Sequence, residues 1–420
     1  MKKIFFYAIS IAMLVNLSAC NDKAIKTPTY PKNTSFNDEN GKIKNREKNQ
    51  LDEKFKQSLN QFSFMSTSKI LGGSNKNISY SPTSLYIALS MAGIGSKNTT
   101  QNEIFSALGM EGKDVDYVSN QNSKLFKLLY CDNEIGKLKI ANSIWLQKNM
   151  LFNKSFEDNV INKFYAYLFN VNFDSKNTSK LMSNWISKNT NGNLSPDINI
   201  DKKQIMAILN TIYYKDEWIH RFDKNKTKAD TFHLSNGSKI QCDFMNTTYS
   251  SHGFTKGPGY MASSLDLKNG GSMVFILPDE GVSAESLIST PEKVAAIFKN
   301  QDSTFGKVIF QVPKFSYGNS LNLNDALESI GIKAAFKSNA DFSGITNKKT
   351  FISKISQQTH IAIDEEGVEA AAFTQINYMG SARPKSEVAK MILNRPFIFA
   401  IKSNDTILFI GIVHNPTEKQ

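Results

Sequence analysis

Histidines and one acidic run are the residues of this chain whose chemistry must be tested first. The three carboxylates at 364–366 are consecutive, whereas a calcium loop alternates its oxygen ligands with other residues. The sequence also lacks the motifs of a serine nucleophile elbow, a zinc protease, a phosphate-binding loop and a dinucleotide site. We therefore expect neither an enzyme nor a protein that needs a metal or a cofactor; the alternative is an enzyme with a dispersed site that matches no motif. The five histidines show no metal-ligand spacing: His220, His233, His252, His360 and His414.

Cysteine chemistry is indicated at the N-terminus. A short basic start precedes an apolar stretch at 4–17, and Leu17-Ser18-Ala19-Cys20 closes it. This quartet resembles a bacterial lipobox. The resemblance implies a signal peptide at 1–19, a lipid on Cys20 and an exported lipoprotein anchored to a membrane. The alternative is an ordinary secretory signal with a chance cysteine.

The next stretch, 20–50, is rich in Asn, Lys, Pro and Thr and poor in large apolar residues, so we predict a flexible tether. Cys131 and Cys242 could form a disulfide in an exported protein, but the sequence does not give their separation. We expect them to be free.

The basic charge does not indicate nucleic-acid binding. The net charge is +12 and the pI is about 9.3, but the lysines are scattered and neither zinc-finger spacing nor an RNA-binding aromatic motif is present. With 40% hydrophobic residues in 420, the chain can bury a large core. We predict one domain from 51 to 420.

The elements of that domain are helices mainly early and strands mainly late, which favours an α+β fold over a doubly wound sheet. Leu51, Phe55, Leu59 and Phe62 recur at helical spacing. A second helix follows Ser81, a plausible N-cap, with Pro82 in its first turn. Apolar runs predict strands at 205–214, 273–277, 308–312, 396–401 and 407–413, and a helical pattern occupies 323–331.

Several ordered motifs of the chain resemble the serpins, the serine protease inhibitor family. They are "ISYSPTSLYIALSMAGIGSKNTT", "WISKNTNGNL", "LNTIYYKDEWIHRFD", "VPKFS", "ADFSGI", "EEGVEAAAFT", "NRPFIFAI" and "LFIGIVHNP", which run in order from 78 to 416. The resemblance implies three β-sheets, about nine helices and an exposed reactive-centre loop at about 365–390. It also implies a monomer that traps a protease in a covalent acyl complex, with a serine protease as the main target class and a cysteine protease as the alternative.

Small residues in this loop fit the strand insertion that the family uses. By resemblance, the hinge comprises Glu365, Glu366, Gly367, Val368, Ala370, Ala371, Ala372 and Thr374. In a strand, side chains alternate between faces, so 368, 370, 372 and 374 point one way, and all four are uncharged. Glycine at 367 supplies backbone freedom. Inhibitory relatives usually have Thr or Ser at position 368, so a non-inhibitory serpin that acts as a surface binding lipoprotein remains the alternative.

Family spacing places the reactive bond at Ser381-Ala382, with Gly380, Arg383 and Lys385 as alternatives. Small residues at the cut favour elastase-like or subtilisin-like proteases. Arg383 precedes a proline and makes a poor trypsin site, whereas cutting after Lys385 would lengthen the inserted segment.

Sheet opening is a second role that the resemblance assigns. It maps a hydrogen-bonded cluster to Ser81, Ser84 and Asn210, with Gln357 where a histidine is usual, and it places Trp218 near the entry point of the loop. An amide can donate and accept hydrogen bonds, but it does not titrate near neutral pH.

Overall fold

The computed structural model describes residues 26–200, 204–299, 303–368 and 387–418. Helices and strands mix along this part of the chain, and the predicted α+β class is confirmed. Nine α-helices follow residue 51 in the described ranges, as expected, and a tenth precedes it. The helices are α1 (Glu39–Lys48), α2 (Glu53–Ile70), α3 (Pro82–Ile94), α4 (Asn98–Ala107), α5 (Val115–Leu129), α6 (Lys154–Lys163), α7 (Lys176–Asn189), α8 (Ala284–Leu287), α9 (Pro291–Lys299) and α10 (Asn324–Ser329).

Sixteen strands are assigned in the same ranges, and all the predicted apolar runs lie on them. They are β1 (Ile78–Tyr80), β2 (Cys131–Asp132), β3 (Lys137–Gln147), β4 (Ala166–Val171), β5 (Met206–Glu217), β6 (Lys228–His233), β7 (Lys239–Gly257), β8 (Tyr260–Asp266), β9 (Gly271–Pro278), β10 (Thr304–Pro313), β11 (Phe315–Asn322), β12 (Ile352–Ile363), β13 (Gly367–Val368), β14 (Val388–Ile392), β15 (Phe397–Ser403) and β16 (Thr406–Val413).

Hydrogen bonding groups these strands into two ladders. One has seven strands in the order β11-β12-β13-β5-β3-β2, with β4 beside β3. The other has nine strands in the order β1-β16-β15-β9-β8-β7-β10-β14, with β6 beside β7. The resemblance implied three sheets. The second and third are continuous here because β7, with 19 residues, pairs with β6 and β10 along one part and with β8 at its end.

The predicted helix after Ser81 becomes the central helix of the fold. The Ser81 hydroxyl accepts a hydrogen bond from the Ser84 N–H at 3.1 Å, and Pro82 occupies the first turn, where no N–H is needed. Every residue of α3 is buried. It packs against α2, α4, α5, β5 and β16 and so lies between the two ladders. A helix that is apolar on all sides is stable only in such a position.

The seven-stranded sheet is packed on both faces. Its inner face belongs to the main core, whereas α7 covers part of its outer face through a separate aromatic cluster. In that cluster Trp145 stacks on Phe169 with ring centroids 3.7 Å apart, and Trp185 meets Trp145 edge-on. Any strand added to this sheet would therefore present one face to the main core.

The structure corrects the predicted tether. Residues 26–50 do not form a flexible leash: α1 lies within them, and the backbone of Lys26 pairs with that of Leu168 on β4. Tyr30 stacks among four aromatic rings of the domain. The composition of this stretch is polar, but a single well-placed tyrosine and a paired backbone supply the contacts that composition does not reveal. Residues 20–25 lie outside the described part.

The two cysteines of the described part of the chain do not form a disulfide. Cys131 and Cys242 are both free, as expected. Burial raises the pKa of Cys131 to about 12 and that of Cys242 to about 11, so neither is a ready nucleophile near neutral pH.

Within the described ranges, none of the helices combines the length and the apolar character that a bilayer crossing requires.

Candidate functional site

A buried polar cluster under the seven-stranded sheet brings together the residues predicted to control its opening. The Gln357 side chain accepts a hydrogen bond from the Ser81 N–H at 2.6 Å and donates to the Ser81 carbonyl at 3.0 Å. The Ser84 hydroxyl and the Gln357 amide both donate to Asn210 Oδ1, at 2.8 and 2.9 Å. All four side chains are at most 1% exposed. The cluster therefore joins α3 to β5 and β12.

One member of the cluster was not predicted. Asn142 on β3 accepts a hydrogen bond from Asn210 Nδ2 at 2.9 Å and is fully buried. It extends the network across a third strand, because residues 142 and 210 face each other in the β3–β5 register. The signal in the sequence was an asparagine within the mostly apolar stretch 138–146. A buried asparagine side chain in a strand needs a hydrogen-bond partner.

Strand β12 pairs with β5 directly along most of its length. The two strands run parallel, and Gln357 is the register partner of Asn210. The side chains of the polar cluster are thus hydrogen-bonded across the boundary that a new central strand would have to cross. Opening this boundary breaks the contacts of Gln357 with Asn210, and the partners must then find others or remain unpaired.

Trp218, which the resemblance places near the entry point of the loop, lies at the end of this boundary. Its indole N–H donates to the Asp364 carbonyl at 2.9 Å, and its backbone N–H donates to the Glu366 carbonyl at 3.0 Å. The Asp364 carboxylate accepts hydrogen bonds from the N–H groups of Glu366 and Gly367. This turn fixes the direction in which the chain leaves β12.

The first two residues after the turn already form a strand. In β13, Val368 is the register partner of Ile363 on one side and Asp216 on the other, and both pairings are antiparallel. The Val368 side chain is fully buried and belongs to the main core. The base of the loop therefore occupies the top of the gap between β12 and β5.

Glycine at 367 has a steric reason that sequence reasoning missed. A Cβ at this position would lie 2.2 Å from the Asp216 carbonyl oxygen and 2.7 Å from the Glu217 Cα. The sequence predicts backbone freedom as the role of this glycine. In the described state, glycine is needed because the backbones of β13 and β5 approach so closely.

Two of the three carboxylates in the acidic run, those of Glu365 and Glu366, are paired with lysines. Lys314 contacts Glu365 at 3.0 Å, and the Thr227 hydroxyl donates to the same carboxylate at 2.7 Å. Burial alone would raise the pKa of Glu365, but these hydrogen bonds and the lysine charge outweigh it and hold the pKa below its ordinary value. Glu366 pairs with Lys224 at 2.8 Å, and this hydrogen bond raises the pKa of the lysine.

The remaining predicted site residues lie outside the described ranges. These are Cys20, the hinge residues Ala370, Ala371, Ala372 and Thr374, and the reactive-bond candidates Gly380, Ser381, Ala382, Arg383 and Lys385. The chain is described again from Glu387, whose carbonyl accepts a hydrogen bond from the Lys307 N–H at 2.9 Å. The loop thus starts at the seven-stranded sheet and ends beside β10 of the other.

The polar cluster yields a prediction about stability. Replacing Gln357 with Leu removes three hydrogen bonds and leaves the buried Ser81 N–H unpaired, so we expect a loss of about 1–3 kcal/mol in the free energy of unfolding. The matched control is Gln358→Leu, since Gln358 makes only a 3.4 Å contact with Ser320 and points to the other face. Urea unfolding followed by circular dichroism measures both variants. Equal losses would show that the cluster does not stabilise the closed sheet.

Comparison with known proteins agrees with this geometry. The family model described as Serpin (serine protease inhibitor) matches residues 57–416. Intracellular coagulation inhibitor 2 of Tachypleus tridentatus is 29% identical over 376 residues, covering 86% of this chain and 91% of that protein.

Solved structures agree as well. The native state of a thermophilic serpin, tengpin, matches with a TM-score of 0.79 at 30% identity, covering 87% of this chain and 95% of its own. Human thyroxine-binding globulin, complexed with its hormone, matches with a TM-score of 0.78 at 25% identity, covering 87% and 100%. The matched model spans most of the chain, and the solved structures share its fold: this protein belongs to the serpin family.

Proposed function

We propose that this protein is a suicide-substrate protease inhibitor that inserts its cleaved loop into the seven-stranded sheet, and that it is not an enzyme. The observation that carries the proposal is β13. Its two residues already pair antiparallel with both β12 and β5, so they form the first step of the strand that insertion would complete. Insertion of a loop as a strand is a known way to switch a β-sheet protein.

The direction of the neighbouring strands supports a favourable insertion. In the described state, β12 and β5 pair with each other directly and run parallel. A strand continuing β13 would replace this pairing with two antiparallel ladders, and antiparallel pairing is slightly more stable per residue. About ten added hydrogen bonds at roughly 1 kcal/mol net each give a driving force on the order of 10 kcal/mol.

The side-chain pattern of the loop supports the same strand. Because the Val368 side chain lies in the main core, strand alternation would direct Ala370, Ala372 and Thr374 to the same face. These small uncharged residues could be buried there without a desolvation penalty for charge. The other face would carry Glu369 and Ala371.

The proposed chemistry uses the protease's own reaction. The attacking serine hydroxyl forms an ester with the Ser381 carbonyl, the Ser381-Ala382 peptide bond breaks, and the amine of Ala382 accepts the proton and leaves. Thirteen steps from Val368 to Ser381 would span about 43 Å as a strand, enough to carry the acylated protease across a large sheet. Hydrolysis of the ester then fails because displacement of about 1 Å within a catalytic site can lower its rate about 100-fold.

Small residues around the bond favour elastase-like or subtilisin-like targets over trypsin. Lys385-Ser386 is chemically a good trypsin site, but it would add four residues of slack and favour turnover. The inhibitor relative from Tachypleus tridentatus supports the inhibitory reading. The alternative, a non-inhibitory binding lipoprotein, draws support from the thyroxine-binding globulin likeness and from valine at position 368.

The first test mixes the protein with subtilisin, pancreatic elastase and trypsin. We expect a complex with the first two that survives boiling in SDS and is larger by roughly the mass of the protease, because the ester is covalent. Mass spectrometry should find a released peptide that begins at Ala382. A stable complex whose peptide begins at Ser386 would refute the assigned bond. Papain is added as a cysteine protease, and the absence of a complex with any of the four proteases would favour the binding lipoprotein.

A matched pair of variants tests the direction of insertion. Ala372→Glu would place an unpaired charge on the buried face, at a desolvation cost of several kcal/mol, whereas Ala371→Glu would place the same charge on the outer face. We expect the first variant to be cleaved as a substrate and the second to retain the complex. Densitometry of complex against cleaved protein gives the ratio. The reverse ranking would contradict the assigned alternation of the loop.

The membrane location is part of the same proposal. The lipobox-like quartet supports lipidation of Cys20 and export to the cell envelope. Replacing Cys20 with Ser should shift the protein from the membrane fraction to the soluble fraction, while the detergent-extracted and soluble forms inhibit equally, because the anchor is remote from the loop. Retention of the variant in the membrane fraction would show that another feature holds it there.

A further inference from the structure

The segment that starts at Lys26 is attached to the outer edge of the seven-stranded sheet by one backbone bridge. The Lys26 N–H donates to the Leu168 carbonyl at 3.3 Å, and the Leu168 N–H donates to the Lys26 carbonyl at 3.1 Å. Leu168 lies on β4, the strand that ends this side of the sheet. The Lys26 ammonium also reaches Glu157 on α6 at 2.5 Å. The segment therefore covers the otherwise unpaired edge of β4 at this point.

Tyr30 fixes the segment in an aromatic pocket. Its ring centroid lies 5.5 Å from that of Tyr130, 5.9 Å from Phe126, 6.2 Å from Tyr165 and 6.4 Å from Tyr167. Phe126 lies near the end of α5 and Tyr130 directly follows that helix, whereas Tyr165 directly precedes β4 and Tyr167 lies on it. Tyr30 thus fills the junction between α5 and β4, in distances at which aromatic rings attract one another.

The chain then follows α5 backwards. The Asn45 amide donates to the Lys127 carbonyl at 2.9 Å, and the Lys124 ammonium donates to the Gln50 carbonyl at 3.1 Å. The Asp52 carboxylate, which caps α2, accepts a hydrogen bond from the Tyr117 hydroxyl at 2.9 Å. The segment 26–52 therefore runs from β4 along α5 to the start of α2.

This path spans the two parts that insertion would separate. A new strand between β12 and β5 widens the sheet by about 4.8 Å, so β5, β3 and β4 must move relative to β12. Helix α6 packs on β4 and would follow it, whereas α2 packs on α3, α9 and β16. Helix α5 contacts both α3 and α6 and lies at the boundary between these groups.

We propose that the segment 26–52 is an intramolecular clamp whose docking on the aromatic surface of α5 and β4 (Phe126, Tyr130, Tyr165 and Tyr167) slows the opening of the sheet. The clamp rests on the proposed loop insertion. Its occupant is the chain itself, and the clamp connects the described domain directly to the N-terminal residues. Release of the segment frees β4 and α5 to shift and speeds uptake of a new strand.

The test measures strand uptake without a protease. A fluorescein-labelled peptide with the sequence of residues 368–381 is incubated with the full chain in detergent micelles, and its incorporation is followed by fluorescence anisotropy. Tyr30→Ala empties the aromatic pocket, and Lys26→Pro removes the N–H that bonds to β4. We expect both variants to take up the peptide about tenfold faster than the wild type. Hydrogen exchange at 26–36 should rise in both.

Two controls separate the clamp from general loosening. Lys26→Gln keeps the backbone pairing but removes the ion pair with Glu157, and Ile43→Ser removes an exposed apolar residue of α1 that is 46% accessible. Both should stay within twofold of the wild type. Equal uptake by wild type, Tyr30→Ala and Lys26→Pro would refute the clamp alone. Failure of every form to take up the peptide would refute insertion itself and the clamp with it.

Discussion

The direct parallel pairing of β12 with β5 is the constraint on which the rest of the structure depends. It closes a seven-stranded sheet that has room at its top for two residues of a further strand. At the top, β13 pairs antiparallel with both β12 and β5. Below it, β12 and β5 pair directly with each other and run parallel. The base of the loop thus lies directly in line with the contact between β12 and β5.

The buried polar cluster makes this boundary specific rather than merely apolar. Ser81, Ser84, Asn142, Asn210 and Gln357 are satisfied by one another and by the backbone of α3. Fully satisfied buried networks favour one arrangement of the elements they join, because partial separation leaves polar groups unpaired. An amide at 357 performs this role without titration near neutral pH, so this part of the closed state does not depend on a histidine charge.

The seven-stranded sheet has tertiary contacts at two places, the top of its central boundary and its outer edge at β4. At the top of the central boundary, Trp218 and the Glu365–Lys314 pair hold the base of the loop. On the far side, β4 is covered by the segment that begins at Lys26. All the strands between these two places are hydrogen-bonded in one ladder.

Local chemistry could be predicted from the sequence alone. Ser81 and Pro82 indicate the start of α3, and apolar runs indicate the strands. Small uncharged residues at alternate positions predict a loop that could form a strand. These signals can be read from the sequence because they depend on residues that are neighbours in the chain. Tertiary structure alone decided the contacts between distant residues. Asn142 meets Asn210 through strand register, Tyr30 finds its pocket between α5 and β4, and Gly367 is required by its approach to Asp216. Such contacts depend on how elements pack, and neither composition nor periodicity carries that information.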